Sequence, residues 1–203
     1  MKLIRLLSIV FLSATLFTSC DWHTTRTVIG SGDIETKEIA ASDFTGINVT
    51  GTCNVDFTIA DTFSVKLHAQ QEVLDVMTCR VVSGILQIGF DPDFNVNTDK
   101  EISASIMGPS LSFIGVSGAG NYALRGSKQS QLDIQISGTC DVQAFDMEVD
   151  DCRIGISGAG NCEVNVSQSL QVDISGVGNV FYKGNPEISS DISGVGNIIA
   201  AGR

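Results

Sequence analysis

The sequence predicts an all-β protein, a β-solenoid built from coils of about 18–20 residues. The first observation behind this prediction is a five-residue motif that recurs at nearly constant spacing in the C-terminal half. A fixed period of this size is typical of stacked structures, in which each repeat buries its apolar face against its neighbours. The copies are Ser117-Gly-Ala-Gly-Asn121, Ser137-Gly-Thr-Cys-Asp141, Ser157-Gly-Ala-Gly-Asn161, Ser175-Gly-Val-Gly-Asn179 and Ser193-Gly-Val-Gly-Asn197.

The second observation is an alternation of apolar and polar residues on both sides of the motif. Ile134 and Ile136 precede the second copy, Val142 and Ala144 follow it, and a polar residue separates the members of each pair. A period of two is that of a β-strand. Each coil is therefore predicted to contain a strand, a five-residue corner and a second strand.

The third observation concerns the corner itself. Glycine occupies the second and usually the fourth motif position, which favours tight turns with backbone conformations closed to other residues. The polar residue that ends each copy can hydrogen-bond to backbone groups at a bend. In a stack, these end residues are predicted to form a structural corner ladder: Asn121, Asp141, Asn161, Asn179 and Asn197.

The same frame extends into the N-terminal half, where Thr50-Gly-Thr-Cys-Asn54 lies between two alternating segments. Further strands are predicted over Ser64–Ala69 and over residues 81–90. The spacing here is irregular, as expected for a part that begins and caps a stack. We therefore predict a single domain over residues 30–203, preceded by a tether over residues 20–29.

Residues 1–19 have the pattern of an export signal. Lys2 and Arg5 precede an apolar run over residues 6–17, which is shorter than the roughly 20 residues of a membrane-spanning helix. The small residues before Cys20 resemble the end of a bacterial lipoprotein signal, in which the cysteine becomes the lipidated first residue. The predicted product is exported to the outer membrane or cell surface, and its lipid anchor is its only contact with the membrane.

The charge balance limits the range of partners. The chain has 23 acidic and 12 basic residues, a formal net charge of −11. The predicted signal contains two of the basic residues and no acidic one, so the remaining chain is more acidic still. Because such a surface repels phosphate groups, nucleic acid and anionic headgroups are excluded as expected partners.

Residues with catalytic potential are few. The two histidines, His23 in the tether and His68 in a predicted strand, argue against a histidine-activated nucleophile or a multi-histidine metal site. We expect no cofactor and no catalytic residue. Of the cysteines after Cys20, Cys152 and Cys162 occupy positions that hold Leu, Ile or Val in other coils, which predicts small buried residues rather than a necessary disulfide.

The densest group of oxygen ligands lies in residues 91–101. Its six carboxylate and amide residues fall on every second position, so an extended chain would place them on one face. Calcium takes six to eight oxygen ligands, which makes the segment a weak Ca²⁺ candidate, while a polar hairpin loop is the alternative interpretation. No other metal site is predicted. The six residues are Asp91, Asp93, Asn95, Asn97, Asp99 and Glu101.

One stretch, Leu170-Gln-Val-Asp-Ile-Ser-Gly-Val-Gly-Asn-Val-Phe-Tyr-Lys-Gly-Asn-Pro186, followed by a further Ser-Gly-Val-Gly-Asn, resembles the head GIN domain of auto-transporter adhesins. Phe44-Thr-Gly-Ile-Asn-Val49 and residues 111–120 are similar to two other landmarks of that family. The resemblance covers residues 30–203. It implies a right-handed β-helix-like fold in exported, often lipid-anchored proteins, and it transfers no catalytic residue. Cys53 and Cys140 replace the second motif glycine.

These observations favour a binding or structural role at the cell surface, with a glycan or protein ligand. Outward rows of stacked strands, such as Asp133 and Gln135, would form a flat face with repeated hydrogen-bonding groups. A polysaccharide lyase or hydrolase is the alternative; it would need basic and acidic residues close together, and the basic residues are spread over the repeat frame. The C-terminal coil is predicted to pack against a second copy or against the N-terminal part of the chain.

Overall fold

The computed structural model describes residues 25–202. Strands account for 69% and helix for 3% of the structure, so the predicted all-β class is confirmed. The elements in chain order are β1 (Arg26–Ile29), β2 (Glu35–Ile39), β3 (Gly46–Val49), β4 (Asn54–Ile59), β5 (Ser64–Ala69), α1 (Gln71–Val76), β6 (Met77–Val82), β7 (Ile85–Phe90), β8 (Phe94–Asn97), β9 (Ser103–Gly108), β10 (Phe113–Val116), β11 (Ala119–Ile136), β12 (Thr139–Ile156), β13 (Cys162–Ile174), β14 (Val177–Gly184), β15 (Glu187–Ile192) and β16 (Val195–Ala200).

The strands of the C-terminal half pair in parallel at the spacing of the repeated motif. On the side before the motif, Ile114 pairs with Ile134, and Ile134 pairs with Ile154 one coil further on. On the side after it, Val142 pairs with both Tyr122 and Cys162. Since the apolar positions of one coil meet those of the next, the alternation seen in the sequence places one continuous apolar surface inside the stack.

The corner is shorter than predicted. In the first and second copies only the Ser-Gly pair lies outside a strand, because β11 begins at Ala119 and β12 at Thr139. Each of these long strands continues into the incoming side of the next motif. Register shifts between Ala123 and Arg125 and between Gly126 and Gln129 bend β11, as bulges do. The five-residue corner was therefore a wrong prediction for these coils.

The N-terminal half closes the sheet by antiparallel pairing. β2 and β9 flank β5, and β6 folds back on β7 through a turn at Ser83 and Gly84, both with positive φ. The 14-stranded sheet is nearly barrel-shaped as a whole, and it is not clearly a right-handed β-helix. The antiparallel strands account for this difference, since a simple stack of parallel coils contains none.

The described chain begins within the predicted tether. β1 pairs in parallel with β8 as a separate two-stranded sheet, and the backbone amide of Gly30 donates to the carbonyl of Asn97 over 2.9 Å. The paired strand β1 thus lies within the residues predicted as the tether. The predicted signal over residues 1–19, the predicted lipidation residue Cys20 and His23 lie outside the described residues.

A single apolar core joins the two halves of the domain. It runs from Phe44 and Ile47 at one end to Ile174 and Val180 at the other, all with 0 to 1% of their surface exposed. The short helix α1, which the sequence analysis missed, adds Val73 and Leu74 to this core. One buried amide, Gln70, links the loop after β1 to Thr98 through hydrogen bonds to Gly32 and to the Thr98 hydroxyl.

Candidate functional site

The motif glycines stack directly above one another. An added Cβ at Gly138, Gly158 or Gly176 would fall far inside van der Waals contact with the carbonyl oxygen of the glycine one coil earlier. None of these three glycines has a positive φ; of the glycines in this frame that the structure describes, only Gly51 does. Glycine is therefore required here for close backbone approach, and the predicted need for special backbone conformations was wrong.

The asparagine column continues the stack on the outgoing side. Asp141 Oδ1 accepts from the Asn161 backbone amide and side chain over 2.8 and 3.0 Å. Asn161 Oδ1 accepts in the same way from Asn179, and the Asn197 side chain donates to Asn179 Oδ1 over 3.2 Å. Asn121 has its partner in the N-terminal half instead: its backbone amide donates to Asn54 Oδ1 over 2.8 Å.

The first motif position forms a serine column on the opposite side of the corner. The Ser137 hydroxyl lies 3.2 Å from the Val116 carbonyl oxygen, and the Ser157 hydroxyl lies 3.4 Å from that of Ile136. Each hydroxyl hydrogen is thus directed to the backbone of the coil before it. The serine residues are exposed, and a hydroxyl oxygen that donates its hydrogen can still accept a hydrogen bond from a ligand.

These serines form one wall of a groove of about 460 Å³ that crosses the incoming strands. We call it the motif groove. Parallel pairing aligns a second column two residues before each serine, at a strand spacing of about 4.8 Å. That column contains Asn48, Gly115, Gln135, Gly155, Asp173 and Asp191.

Glycines in the second column leave space that neighbouring amide side chains fill. An added Cβ at Gly115 would collide with the Asn48 side chain, and one at Gly155 would collide with that of Gln135. The two amide side chains therefore lie across the glycine positions. Beside them, Arg153 forms an exposed ion pair with Asp173, with 3.4 Å between Nη2 and Oδ2.

An aromatic residue at one end of the motif groove was missed by the sequence analysis. Phe113 is half-buried, pairs with Gly46 and Asp133, and lines the groove beside Gly115. In the sequence it is one phenylalanine in an alternating strand. Its ring lies against Gly115, where an added Cβ would be 3.0 Å from Phe113 Cζ, a contact that the sequence does not reveal.

The acidic segment is divided between a local turn and strand β8. Asp91 forms a local turn, accepting from the Asp93 amide over 3.0 Å, whereas Asn95 and Asn97 lie in β8. Among the described residues, no group of three or more His, Cys, Asp or Glu residues could hold a metal ion. The Ca²⁺ assignment, which includes amide oxygens, stays a prediction. The hairpin interpretation is wrong, because β8 pairs in parallel with the distant β1.

Most of the chain matches one protein family. The sequence model of the family described as "Putative auto-transporter adhesin, head GIN domain" matches residues 43–130 and 113–186. The chain belongs to this family. A comparison with curated protein sequences returns no match.

Two crystal structures are similar to this head GIN-domain chain. One, described as a putative adhesin from Bacteroides fragilis NCTC 9343, shares 18% identity over 84% of this chain and 98% of its own, with a TM-score of 0.53. Another, a putative adhesin from Parabacteroides merdae ATCC 43184, shares 16% identity over 87% of this chain and 100% of its own, with a TM-score of 0.49. The first of these likenesses shows a common fold.

The thiols of this GIN-domain chain are buried in the core rather than arranged for chemistry. Cys152 and Cys162 are 3% and 0% exposed, as their frame positions predicted. Cys53 and Cys140, which replace motif glycines, also lie in the core. Burial raises the pKa of Cys53, Cys140 and Cys152 to about 12, which keeps these thiols protonated and unreactive at neutral pH. The five cysteines described are free.

One serine–histidine pair lies on the outer face of the sheet. His68 Nε2 is 3.0 Å from Ser105 Oγ, and His68 Nδ1 is 2.9 Å from Thr36 Oγ1. The Thr36 hydroxyl thus occupies the position that a carboxylate has in a catalytic triad. None of the three residues lines the motif groove. The arrangement links the neighbouring strands β2, β5 and β9.

The basic residues are less scattered than the repeat frame indicated. Arg125 and Lys183 line one small groove of about 220 Å³ together with Asp146 and Glu163. Both cations have other contacts: Arg125 pairs with Asp56 over 3.1 Å, and the Lys183 ammonium lies 4.3 Å from the centroid of the Phe145 ring. No helix among the described residues is long and apolar enough to cross a membrane.

Proposed function

We propose that this protein is an exported adhesin whose motif groove binds an extended, hydroxyl-rich polymer, a glycan chain at a surface. The observation that carries the proposal is the alignment of exposed amide, carboxylate and serine groups in two columns at the strand spacing. An extended polymer with regularly spaced hydroxyl groups can bond to successive coils in turn. Membership of an adhesin family supports a role at the cell surface.

The composition of the motif groove fits a neutral ligand. Its acidic side chains, Asp173 and Asp191, face one guanidinium, Arg153, that is already paired. An anionic polymer would have to displace that pair within an acidic protein, whereas hydroxyl groups can donate to the carboxylates directly. A protein ligand with exposed backbone amides is the other partner class that such a surface fits.

The proposal is tested with the chain from residue 21 onward, because every described contact lies within residues 25–202. We expect this protein to bind a subset of neutral glycans on a glycan and matrix-protein array, and Gln135→Ala to weaken that binding by about tenfold or less. Gln143→Ala is the matched control, since Gln143 is an exposed amide on the outgoing side of the sheet. Equal binding by all three proteins would exclude the motif groove as the site.

We further propose that Cys20 carries a lipid anchor and that residues 1–19 are removed. The support is the sequence pattern alone, a short apolar run followed by small residues and a cysteine. Metabolic labelling with an alkyne fatty acid in a bacterial host should label the wild type and fail to label Cys20→Ser. Labelling of the variant would contradict the assignment.

The right-handed β-helix-like path implied by the family is proposed for the parallel-paired part of the chain, residues 113–200. It is supported by the parallel pairing of each strand with the equivalent strand of the next coil along the motif columns.

No observation favours the lyase or hydrolase alternative. Incubation of bound glycans with the protein should yield neither new reducing ends nor unsaturated products.

A further inference from the structure

A second cleft lies outside the motif groove and shares no residue with it. It has a volume of about 530 Å³ and is bounded by β8, the loop after it and the corner at residues 51–54. Small-molecule sites typically occupy about 300–1,000 Å³. We call it the N-terminal cleft, because the pairing of β1 with β8 holds one of its walls in place.

The N-terminal cleft has an aromatic surface. The Phe90 ring packs against the backbone of Gly51, where an added Cβ would lie 2.8 Å from Phe90 Cδ2. Phe94 and Val96 are half-buried beside it, and Ile102 is buried among the lining residues. Phe90 and Phe94 thus line a concave, partly open space, and aromatic side chains supply the apolar contact area that the face of a sugar ring requires.

The hydrogen-bonding groups of the N-terminal cleft are oriented but have capacity left. The Asn54 side chain is held in place because its Oδ1 accepts from the backbone amide of Asn121 over 2.8 Å. Its Nδ2 has no partner among the described residues. The side chains of Asn97 and Glu101 make no hydrogen bond within residues 25–202 either. Two amides and one carboxylate therefore remain to bind hydroxyl groups.

The one cation among the residues that line the N-terminal cleft is directed away from a ligand. Lys100 Nζ donates to the Gly32 carbonyl over 2.7 Å and pairs with Asp33 over 3.2 Å. Within residues 25–202, the cleft thus offers one exposed carboxylate, Glu101, without a free counter-charge for an anion. This disfavours phosphate and acidic sugars and leaves a neutral, hydroxyl-bearing ligand.

We propose that the N-terminal cleft is a binding site for one or two residues of a neutral saccharide. The sugar ring packs against Phe90 and Phe94, and its hydroxyl groups donate to Glu101 and bond with the amides of Asn54 and Asn97. The proposal stands apart from the function assigned to the motif groove, since neither requires the other. It gives a role to Asn97 and Glu101, two of the three members of the acidic segment that line this cleft.

Saturation-transfer NMR tests the proposal, with methyl glucoside, methyl galactoside, methyl mannoside, lactose and cellobiose as probes at about 10 mM, a concentration that detects millimolar binding. We expect transfer to the ring C–H protons of at least one probe. Glu101→Gln and Asn97→Ala should each weaken that binding by about fivefold or more. Both residues are exposed, so neither substitution threatens the fold. Glucuronic acid should give no transfer.

Two control variants distinguish the N-terminal cleft from binding elsewhere on the protein. Glu187→Gln changes an exposed acid on the distant strand β15 and should leave the transfer intact, as should Gln143→Ala, which changes an exposed amide that lines neither the N-terminal cleft nor the motif groove. Absence of transfer to every neutral probe overturns the proposal. Undiminished transfer with both Glu101→Gln and Asn97→Ala also overturns it, because the sugar would then bind at another surface.

Discussion

At the scale of single residues, backbone stacking at the corner decides which side chains are allowed. The motif glycines leave no space for a methyl group because each faces the carbonyl of the residue at the same motif position one coil before it. Glycine at a tight turn and glycine beneath another strand look the same in a sequence. The motif could therefore be found from the sequence, whereas the reason for it could not.

Gly158→Ala should destabilise the protein strongly. Its Cβ would collide with backbone atoms of Gly138 and Ser137, which can move only if neighbouring coils separate. We expect a loss of about 3 kcal/mol or more in the free energy of unfolding, measured by urea denaturation. Gly108→Ala is the matched control, since its Cβ would sit 3.4 Å from the Phe63 ring, and it should change stability by less than about 1 kcal/mol. Equal losses in the two variants would contradict the stacking argument.

Tyr122→Phe should leave stability unchanged or raise it. The Tyr122 hydroxyl is buried without a hydrogen-bond partner among the described residues, and burial raises its pKa. Removing an unsatisfied polar atom of this kind gains up to about 1 kcal/mol. Tyr182→Phe, at a half-buried position, provides the comparison in the same urea titration. A clear loss of stability in Tyr122→Phe alone would show that the hydroxyl has a partner.

At the scale of elements, period and pairing were predictable together. The alternation around Ile134 and Val142 sets which faces are buried, and the repeat spacing sets the parallel register. The antiparallel N-terminal strands, α1 and the β1–β8 pair carry no such period. Their positions depend on contacts between distant residues, such as Thr25 with Asn95, that no local pattern encodes. The N-terminal cleft was missed for the same reason.

Lys128 joins strands β11 and β12 through Glu148 and Asp150, at 2.8 and 2.6 Å. Hydrogen bonds from Lys128 and Ser167 lower the pKa of Asp150 in the folded state. The stabilisation by these bonds is therefore fully present above the unfolded-state pKa of about 3.9. It is lost as the pH falls through the lower pKa of the folded state. Lys128→Gln should therefore lower the urea midpoint at pH 7, and the difference from wild type should vanish in acid.

The comparison variant for Lys128 is Lys183→Gln, because the Lys183 ammonium lies over the Phe145 ring. Its effect on the urea midpoint should not follow the titration of Asp150. NMR titration should also show a higher pKa for Asp150 in Lys128→Gln than in the wild type. An unchanged Asp150 pKa would mean that the lysine does not hold the carboxylate in solution.

At the scale of the whole molecule, the two ends of the sheet differ. The N-terminal end is covered by antiparallel strands. The last strands, β15 and β16, pair only with β13 and β14 among the described residues, so the last coil does not pair with the described N-terminal part as one alternative predicted. β15 is exposed along its whole length, and β16 has no partner on its outer side among the described residues. Large apolar side chains lie open here, with Val195 at 69% and Ile192 at 39% exposure.

We propose that this end pairs with a second copy of the chain, since an open strand edge beside exposed apolar side chains favours edge-to-edge association. Sedimentation at tens of micromolar should show a reversible dimer for residues 21–203, in keeping with a Kd in the micromolar range. Val195→Lys should shift the protein to monomer. Val82→Lys, at an exposed valine of β6, should not. A monomeric wild type would exclude the pairing.

The stacked corner also bears on how such a chain can change its length. Each coil copies the contact surface of the one before it, so the last motif, at Ser193, offers the template that Ser175 offers to it. A duplicate of one complete coil can be added at that edge without redesign of the interior, whereas a partial coil would leave the next strand without its partner in the columns. The length of the stack, and with it the distance over which the domain can extend toward a ligand, therefore changes in steps of about 4.8 Å per added coil.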